Sequence, residues 1–82
     1  MLHLDLTGLK CPIPVLRLGR AIRLAAPGSL IVMVADDPMA RYDLPHFCRE
    51  KGVEILDHED SEGRLRLRVR TPADTVGASE GD

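Results

Sequence analysis

The segment Cys11-Pro12-Ile13-Pro14 places one cysteine directly before two prolines, where an amphipathic helix is predicted to begin. Because a helix leaves its first amide groups without intrahelical acceptors, prolines in the first turn cost it no hydrogen bond. A residue that precedes proline is pushed out of the helical region, which predicts Cys11 as the N-cap. The positive end of the helix dipole, together with Lys10, would then favour the thiolate and lower the pKa of Cys11. The segment is typical of a rigid mount for a nucleophile.

The second cysteine, Cys48, occurs in a different pattern. Leu44, Phe47 and Cys48 fall at positions i, i+3 and i+4 of a predicted helix, which is the spacing of a core-facing stripe. We therefore expect a structural role for Cys48, whereas Cys11 has two interpretations, a reactive thiol or a small buried hydrophobe. A lone disulfide would be unusual in a reducing compartment, so both residues are expected to be free thiols. Because the sequence has neither a CxxC pair nor His and Cys at metal-ligand spacing, thioredoxin-type redox cycling and a structural zinc site both lack their signatures, and we expect no metal.

Hydrophobic periodicity predicts the elements that position these cysteines. Leu2, Leu4 and Leu6 alternate with polar residues, as in a strand with one buried face. From Pro12 onward, apolar residues recur at helical spacing until Pro27-Gly28 ends the helix. Residues 29–35 then form a continuous apolar run of strand length, which predicts a central strand.

The second half of the chain predicts one helix and a hairpin. Pro45 lacks the amide donor that a helix interior needs and disfavours a helical residue before it. We therefore expect a short first turn after Asp37-Pro38 and then a helix from about Asp43 or Leu44 to Lys51. Residues 53–60 and 64–70 are predicted strands joined through residues 61–63. In the last strand arginines alternate with apolar residues, so one face of the sheet should be buried and the other exposed to water.

The predicted fold is an α/β two-layer sandwich of order βαβαββ, with a mixed four-stranded sheet and two helices on one face. Residues 1–70 form the single predicted domain, and residues 71–82, which are small, polar and acidic, form a predicted disordered tail. A helical crossover makes the first two strands parallel, so the loops that follow them emerge at the same rim. This rim should gather Cys11, Asp36 and Asp37.

Other charged side chains have both a structural and a functional interpretation. Asp37 is expected to cap the second helix, with Pro38 at its first position, whereas the role of Asp36 is more open. An arginine row follows Cys11 along the first helix. Such a row is often an ordinary solvated face, but its position would also suit docking of an acidic partner. The row consists of Arg17, Arg20 and Arg23.

Length, composition and charge exclude several classes of protein. At 82 residues the chain is one small domain. Its apolar content of 44% and formal charge of -2 fit a globular protein and indicate no polyanionic partner. The amino terminus, MLHLDL, lacks the features of a signal peptide, and the longest apolar run, LIVMVA, is too short for a membrane span. The expected location is the cytoplasm.

These residues resemble the TusA (SirA-like) family of sulfur carrier proteins, whose hallmark is Cys-Pro-x-Pro at the amino end of the first helix. The likeness covers roughly residues 4–70, in the family's order and spacing, which identifies residues 1–70 as a TusA-like domain. Besides the Cys11 motif, the segments that carry it are Leu4-Asp5, Gly8-Leu9-Lys10, Pro27-Gly28, Ala35-Asp36-Asp37-Pro38, Asp43-Leu44-Pro45 and Phe47-Cys48.

The resemblance implies a persulfide relay. A cysteine desulfurase or a rhodanese-like donor would pass sulfur to Cys11, which would hand it to an acceptor protein in tRNA 2-thiouridine formation, molybdenum cofactor biosynthesis or sulfur oxidation. Such a chain is a sulfurtransferase-type carrier with a covalent intermediate, and it needs no cofactor because the transfer depends on thiolate fraction and access. Ile13 departs from the tRNA-linked members, in which this position is often acidic. The supporting residues are Lys10, Pro12, Ile13, Pro14, Asp36 and Asp37, and the expected partner-binding residues are Arg17, Arg20, Arg23 and Arg41.

Two other functions compete with the carrier. The fold is also similar to the C-terminal domain of a bacterial translation initiation factor that contacts ribosomal RNA, and the arginines of the last strand favour such an RNA-binding module. The negative net charge and the nearby acidic residues Glu54, Asp60 and Glu62 argue against direct nucleic-acid binding. The other alternative is a regulator that docks on a desulfurase without carrying sulfur. Both alternatives leave Cys11 without a chemical role.

Overall fold

Six elements follow one another in the order βαβαββ, as predicted. The computed structural model describes residues 1–72, so residues 73–82 of the predicted tail lie outside the described residues. The elements are β1 (Leu2–Leu6), α1 (Ile13–Leu24), β2 (Leu30–Ala35), α2 (Ala40–Glu50), β3 (Glu54–Ser61) and β4 (Arg64–Arg70).

The four strands form one mixed sheet in the order β1-β2-β4-β3. β1 pairs with β2 in parallel, and β4 is antiparallel to both β2 and β3. Because β1 and β2 are parallel, the loops that follow Leu6 and Ala35 leave the sheet at the same edge. The predicted α/β class and mixed sheet are therefore confirmed, and the rim that should hold the polar side chains exists.

The core lies between the sheet and the two helices. Alternate residues of β2 and β4 face the helices and are buried, because side chains along a strand point to opposite faces. Both helices contribute to the same apolar cluster as these strands, through Leu18 of α1 and Leu44 and Cys48 of α2. The inward residues of the two strands are Ile31, Met33, Ala35, Leu65, Leu67 and Val69.

Helix α2 begins earlier than predicted, at Ala40 rather than at Asp43 or Leu44, and it ends at Glu50. Pro45 lies inside the helix. Its missing N–H costs the helix one hydrogen bond, but Leu44, Pro45 and Cys48 are all buried against the core. Tertiary burial therefore outweighs the local preference of proline, which is why the sequence-based boundary was wrong.

The hairpin between β3 and β4 turns through Glu62 and Gly63, whose φ angles are 52° and 78°. Two consecutive residues with positive φ form the turn type that matches the twist of paired strands. On the sheet face away from the helices, acidic residues of β3 lie directly opposite the arginines of β4. The pairs are Glu54 with Arg70, Asp57 with Arg68 and Glu59 with Arg66.

Thr71 joins the end of the sheet to the loop between α1 and β2. It is only 3% exposed, and its hydroxyl donates to the Ala26 carbonyl at 2.9 Å and accepts from the Ser29 amide at 2.8 Å. The structure thus places Thr71 with the folded domain rather than with the predicted tail.

Neither of the two helices within residues 1–72 is long and apolar enough to cross a membrane.

Candidate functional site

Cys11 lies in the loop between β1 and α1, where its side chain is exposed. The predicted N-cap position is wrong, because the residue at the helix boundary is Pro12, with φ −99° and ψ 18°. Pro14 occupies the first turn of α1, as expected, and is buried. The Ile13 amide donates to the Lys10 carbonyl at 2.7 Å, which folds the loop tightly before the helix. The two prolines hold Cys11 next to the helix rather than in its capping position.

The two aspartates that follow β2 bind the loop that carries Cys11. The carboxylate of Asp36 accepts from the Gly8 amide at 2.9 Å, and that of Asp37 accepts from the Cys11 amide at 3.3 Å. Asp37 was expected to cap α2, but the N-cap residue is Met39, and no side chain in the described residues caps this helix. The predicted support of Cys11 by Asp36 and Asp37 therefore takes the form of backbone hydrogen bonds across the rim.

A third carboxylate contacts the thiol itself. The Sγ atom of Cys11 donates to Oδ2 of Asp43 at 3.3 Å. Asp43 lies in the first turn of α2, and it is half-buried. Asp43 was not among the predicted site residues, although one signal was present. Helix α2 begins just after the rim, so an acidic residue in its first turn lies close to that rim.

These carboxylates reverse the predicted direction of the pKa shift at Cys11. The hydrogen bond to Asp43 is the largest cause that raises the pKa of Cys11, followed by desolvation and by the negative charges of Asp43 and Asp37. The prediction of a lowered pKa was wrong because it gave Lys10 and the helix dipole more weight than the acids of the rim, and because it did not include Asp43. The acids that face Cys11 come from more distant parts of the chain.

Cys48 has the surroundings that its spacing predicted. Its side chain is 0% exposed and belongs to the core cluster between the helices and the sheet. Burial raises the pKa of the Cys48 thiol to about 11. Both cysteines are free thiols, as predicted, and the structural placement of Cys48 is confirmed.

Comparisons with known proteins agree with this geometry. The family model described as "Sulfurtransferase TusA" matches residues 3–71. A sulfur carrier protein TusA of Pseudomonas aeruginosa is 41% identical over 71 residues, which cover 87% of this chain and 90% of the relative. The chain belongs to the TusA family. It is therefore a sulfur-relay carrier, and such a carrier has a sulfur donor and a sulfur acceptor as partners.

Two further matches extend the family likeness. A sulfur carrier protein TusA of Pseudomonas putida is also 41% identical over 71 residues, covering 87% of this chain and 89% of the relative. The crystal structure of a SirA-like protein from Desulfitobacterium hafniense has a TM-score of 0.74 and 23% sequence identity. It covers 88% of this chain and 99% of that protein, and it supports the fold.

The TusA-family chain has a shallow groove along α1, close to the helix start that follows Cys11. The exposed apolar side chains Ile13 and Leu16 lie in its wall, with exposed fractions of 39% and 61%. A Cβ added to Gly19 would lie 3.2 Å from the Phe47 ring, so Gly19 lets the ring pack closely against α1. The groove also contains all three members of the predicted arginine row, Arg17, Arg20 and Arg23.

Arg41, the fourth expected partner-binding residue, does not line this groove. Its guanidinium forms an ion pair with Asp60 of β3 at 3.0 Å. The structure therefore brings Arg17, Arg20 and Arg23 together and places Arg41 apart from them.

Within the described part of the chain, no three His, Cys, Asp or Glu side chains are grouped closely enough to hold a metal ion.

Proposed function

We propose that this TusA-family chain carries its sulfur as a persulfide on Cys11, taken from a cysteine desulfurase or a rhodanese-like donor and passed to an acceptor protein. The observation that carries this proposal is the contrast in exposure between the two thiols. Cys11 is exposed at the rim, whereas Cys48 is 0% exposed. A sulfur atom that moves between proteins needs a thiol that both partners can reach.

The two proteins supply every atom and electron that the sulfur transfer needs. The thiolate of Cys11 attacks the terminal sulfur of the donor persulfide, and a bond between Cys11 Sγ and that sulfur forms. The bond between the terminal sulfur and the donor cysteine breaks, and its electron pair remains on the donor as a thiolate. The proton lost by Cys11 neutralises that thiolate, so the exchange needs no external oxidant or reductant. Delivery to the acceptor is the same displacement, with the persulfide of Cys11 as the sulfur source.

The surface beside Cys11 supports docking of an acidic partner. Arg17, Arg20 and Arg23 are exposed in one groove, and no carboxylate in residues 1–72 forms an ion pair with them. Ile13 and Leu16 add apolar area to the same surface. A donor with an acidic rim around an apolar centre would match both features.

The place of the chain in metabolism follows from the family resemblance. We assign it to the cytoplasm, where it would supply tRNA 2-thiouridine formation, molybdenum cofactor biosynthesis or sulfur oxidation. Ile13 stands at the motif position that is often acidic in tRNA-linked members, and its side chain is exposed where a partner would dock. Purifying the proteins that cross-link to Cys11 identifies the donor and acceptor and thereby selects among the three processes.

Incubation with a cysteine desulfurase and cysteine tests the carrier residue. We expect the intact mass of the wild-type protein and of the Cys48→Ser variant to rise by one sulfur atom, reversibly by reductant. Cys11→Ser should bind the desulfurase and stay folded but gain no sulfur. A persistent mass gain in Cys11→Ser would overturn the proposal. Desulfurase binding without sulfur uptake by the wild type would instead support the regulator.

A further inference from the structure

The hydrogen bond between Cys11 and Asp43 differs from the other contacts of the rim. Asp36 and Asp37 accept from backbone amides of the loop, which are present whatever the state of the thiol. Asp43 accepts from the sulfur atom itself, at 3.3 Å. This contact therefore depends on the hydrogen atom that Sγ carries.

Loading with sulfur removes that hydrogen atom. In a persulfide, Sγ is bonded to Cβ and to the terminal sulfur, so it has no hydrogen left to donate. The Asp43 carboxylate then faces sulfur lone pairs, and it repels the terminal sulfur when the persulfide is ionised. A contact that stabilises the unloaded thiol thus becomes unfavourable in the loaded carrier.

We propose that Asp43 is a positioning residue that holds the unloaded Cys11 thiol at the rim and releases the sulfur-bearing side chain toward the partner. This inference rests on the proposed role of Cys11 as the residue that carries sulfur. Asp43 lies in the first turn of α2, and Cys11 lies in the loop before α1, so the bond connects the starts of the two helices. Loading of Cys11 breaks that connection, which gives a partner a difference between empty and loaded carrier to recognise.

The other charged groups around Cys11 predict a graded response. Lys10 is its neighbour in the loop, and the first turn of α1 contributes no acidic side chain. From the other side of the rim, Asp37 acts on the thiol only through its charge, and Asp36 is bonded to Gly8. Neutralising these acids should therefore change the acidity of Cys11 most for Asp43, less for Asp37 and least for Asp36.

The first test is the pH dependence of Cys11 alkylation by iodoacetamide in folded protein. We expect Asp43→Asn to lower the apparent pKa and to raise the thiolate fraction at pH 7 by roughly threefold to tenfold, the range of one lost hydrogen bond. Asp37→Asn should produce a smaller change, and Asp36→Asn, the matched control, should follow the wild type. Asp43→Ala serves as a second variant. Equal profiles for the wild type and the Asp43 variants would overturn the inference.

The second test measures the loading equilibrium against a mixture of glutathione and glutathione persulfide. Because Asp43 stabilises only the unloaded carrier, Asp43→Asn should raise the ratio of loaded to unloaded protein by roughly threefold to tenfold. An unchanged ratio, in a wild type that does load at Cys11, would refute the inference and leave the proposed function intact. A wild type that loads neither from this mixture nor from a desulfurase with cysteine would refute the proposed function, and the alkylation profile would still decide whether Asp43 holds the thiol.

Discussion

Cys11 and Cys48 are the same side chain in two different surroundings, and both thiols have a raised pKa. The causes differ. A hydrogen bond to one carboxylate, that of Asp43, dominates at Cys11, whereas burial dominates at Cys48. Moving or neutralising one side chain can remove the largest cause at Cys11, but only opening of the core can remove the cause at Cys48. The two raised pKa values therefore have different physical causes, one local hydrogen bond at Cys11 and burial at Cys48.

The two cysteines differ more in solvent exposure than in the direction of their pKa shifts. A carrier thiol must meet a donor and an acceptor in turn, so an exposed position with a reversible restraint suits it. Cys11 is exposed, and its thiol donates one hydrogen bond to Asp43. Cys48 is buried among the apolar side chains of the core.

The largest expected difference between the two thiols is in their rates of alkylation. In native protein, iodoacetamide should modify Cys11 at least about a thousandfold faster than Cys48, because Cys48 reacts only when the core opens. Peptide mapping after timed quenching measures both rates. In denaturant, as a control, the two cysteines should react at comparable rates. Native labelling of Cys48 at a rate close to that of Cys11 would break the comparison.

Serine substitution should separate the same two sites by stability. Cys48→Ser places a hydroxyl in an apolar environment and should lower the free energy of unfolding by about 1–3 kcal/mol. Cys11→Ser keeps a hydrogen-bond donor at an exposed position and should leave the free energy of unfolding nearly unchanged. Urea denaturation measures both values. Equal losses in the two variants would contradict the structural assignment of Cys48.

The groove along α1 that contains the arginine row predicts a smaller effect, on binding of the sulfur donor. Arg20→Glu should weaken desulfurase binding by about threefold to tenfold at low salt, because it places a negative charge against an acidic partner. The difference should shrink as ionic strength rises. Arg68→Glu, on the sheet face away from the helices, is the matched control and should bind as the wild type does. Equal binding by Arg20→Glu would return the arginine row to an ordinary solvated face.

The sequence predicted the fold well wherever a local pattern determines an element. The alternation in residues 64–70 predicted a strand with one buried face, and the i, i+3, i+4 spacing placed Cys48 in the core. The alternation in residues 2–6 also predicted a strand, but on its inward side only Leu6 is fully buried, and Leu2 is 40% exposed. The sequence-based prediction was wrong at the start of α2, because burial of Leu44, Pro45 and Cys48 compensates for the hydrogen bond that proline removes. Local propensity does not include that tertiary contribution.

The candidate site was predicted only in part, for a related reason. The Cys-Pro-Ile-Pro segment predicted a rigid mount with Cys11 as the N-cap, but Cys11 lies in the loop before α1. Parallel pairing of β1 and β2 brought Asp36 and Asp37 to that loop, as predicted. The predicted direction of the pKa shift at Cys11 was wrong because Asp43, which raises this pKa most, lies 32 residues away in sequence. No local sequence motif predicts how close a loop lies to the first turn of another helix.

The most direct test of the central claim is to map the transferred sulfur in wild-type protein. The protein is loaded by a desulfurase with cysteine, its persulfides are blocked by alkylation, and trypsin then separates the cysteines into peptides of residues 11–17 and 42–49. We predict the additional sulfur in the peptide that contains Cys11 and none in the peptide that contains Cys48. Additional sulfur in the Cys48 peptide, with an unmodified Cys11 peptide, would contradict the account.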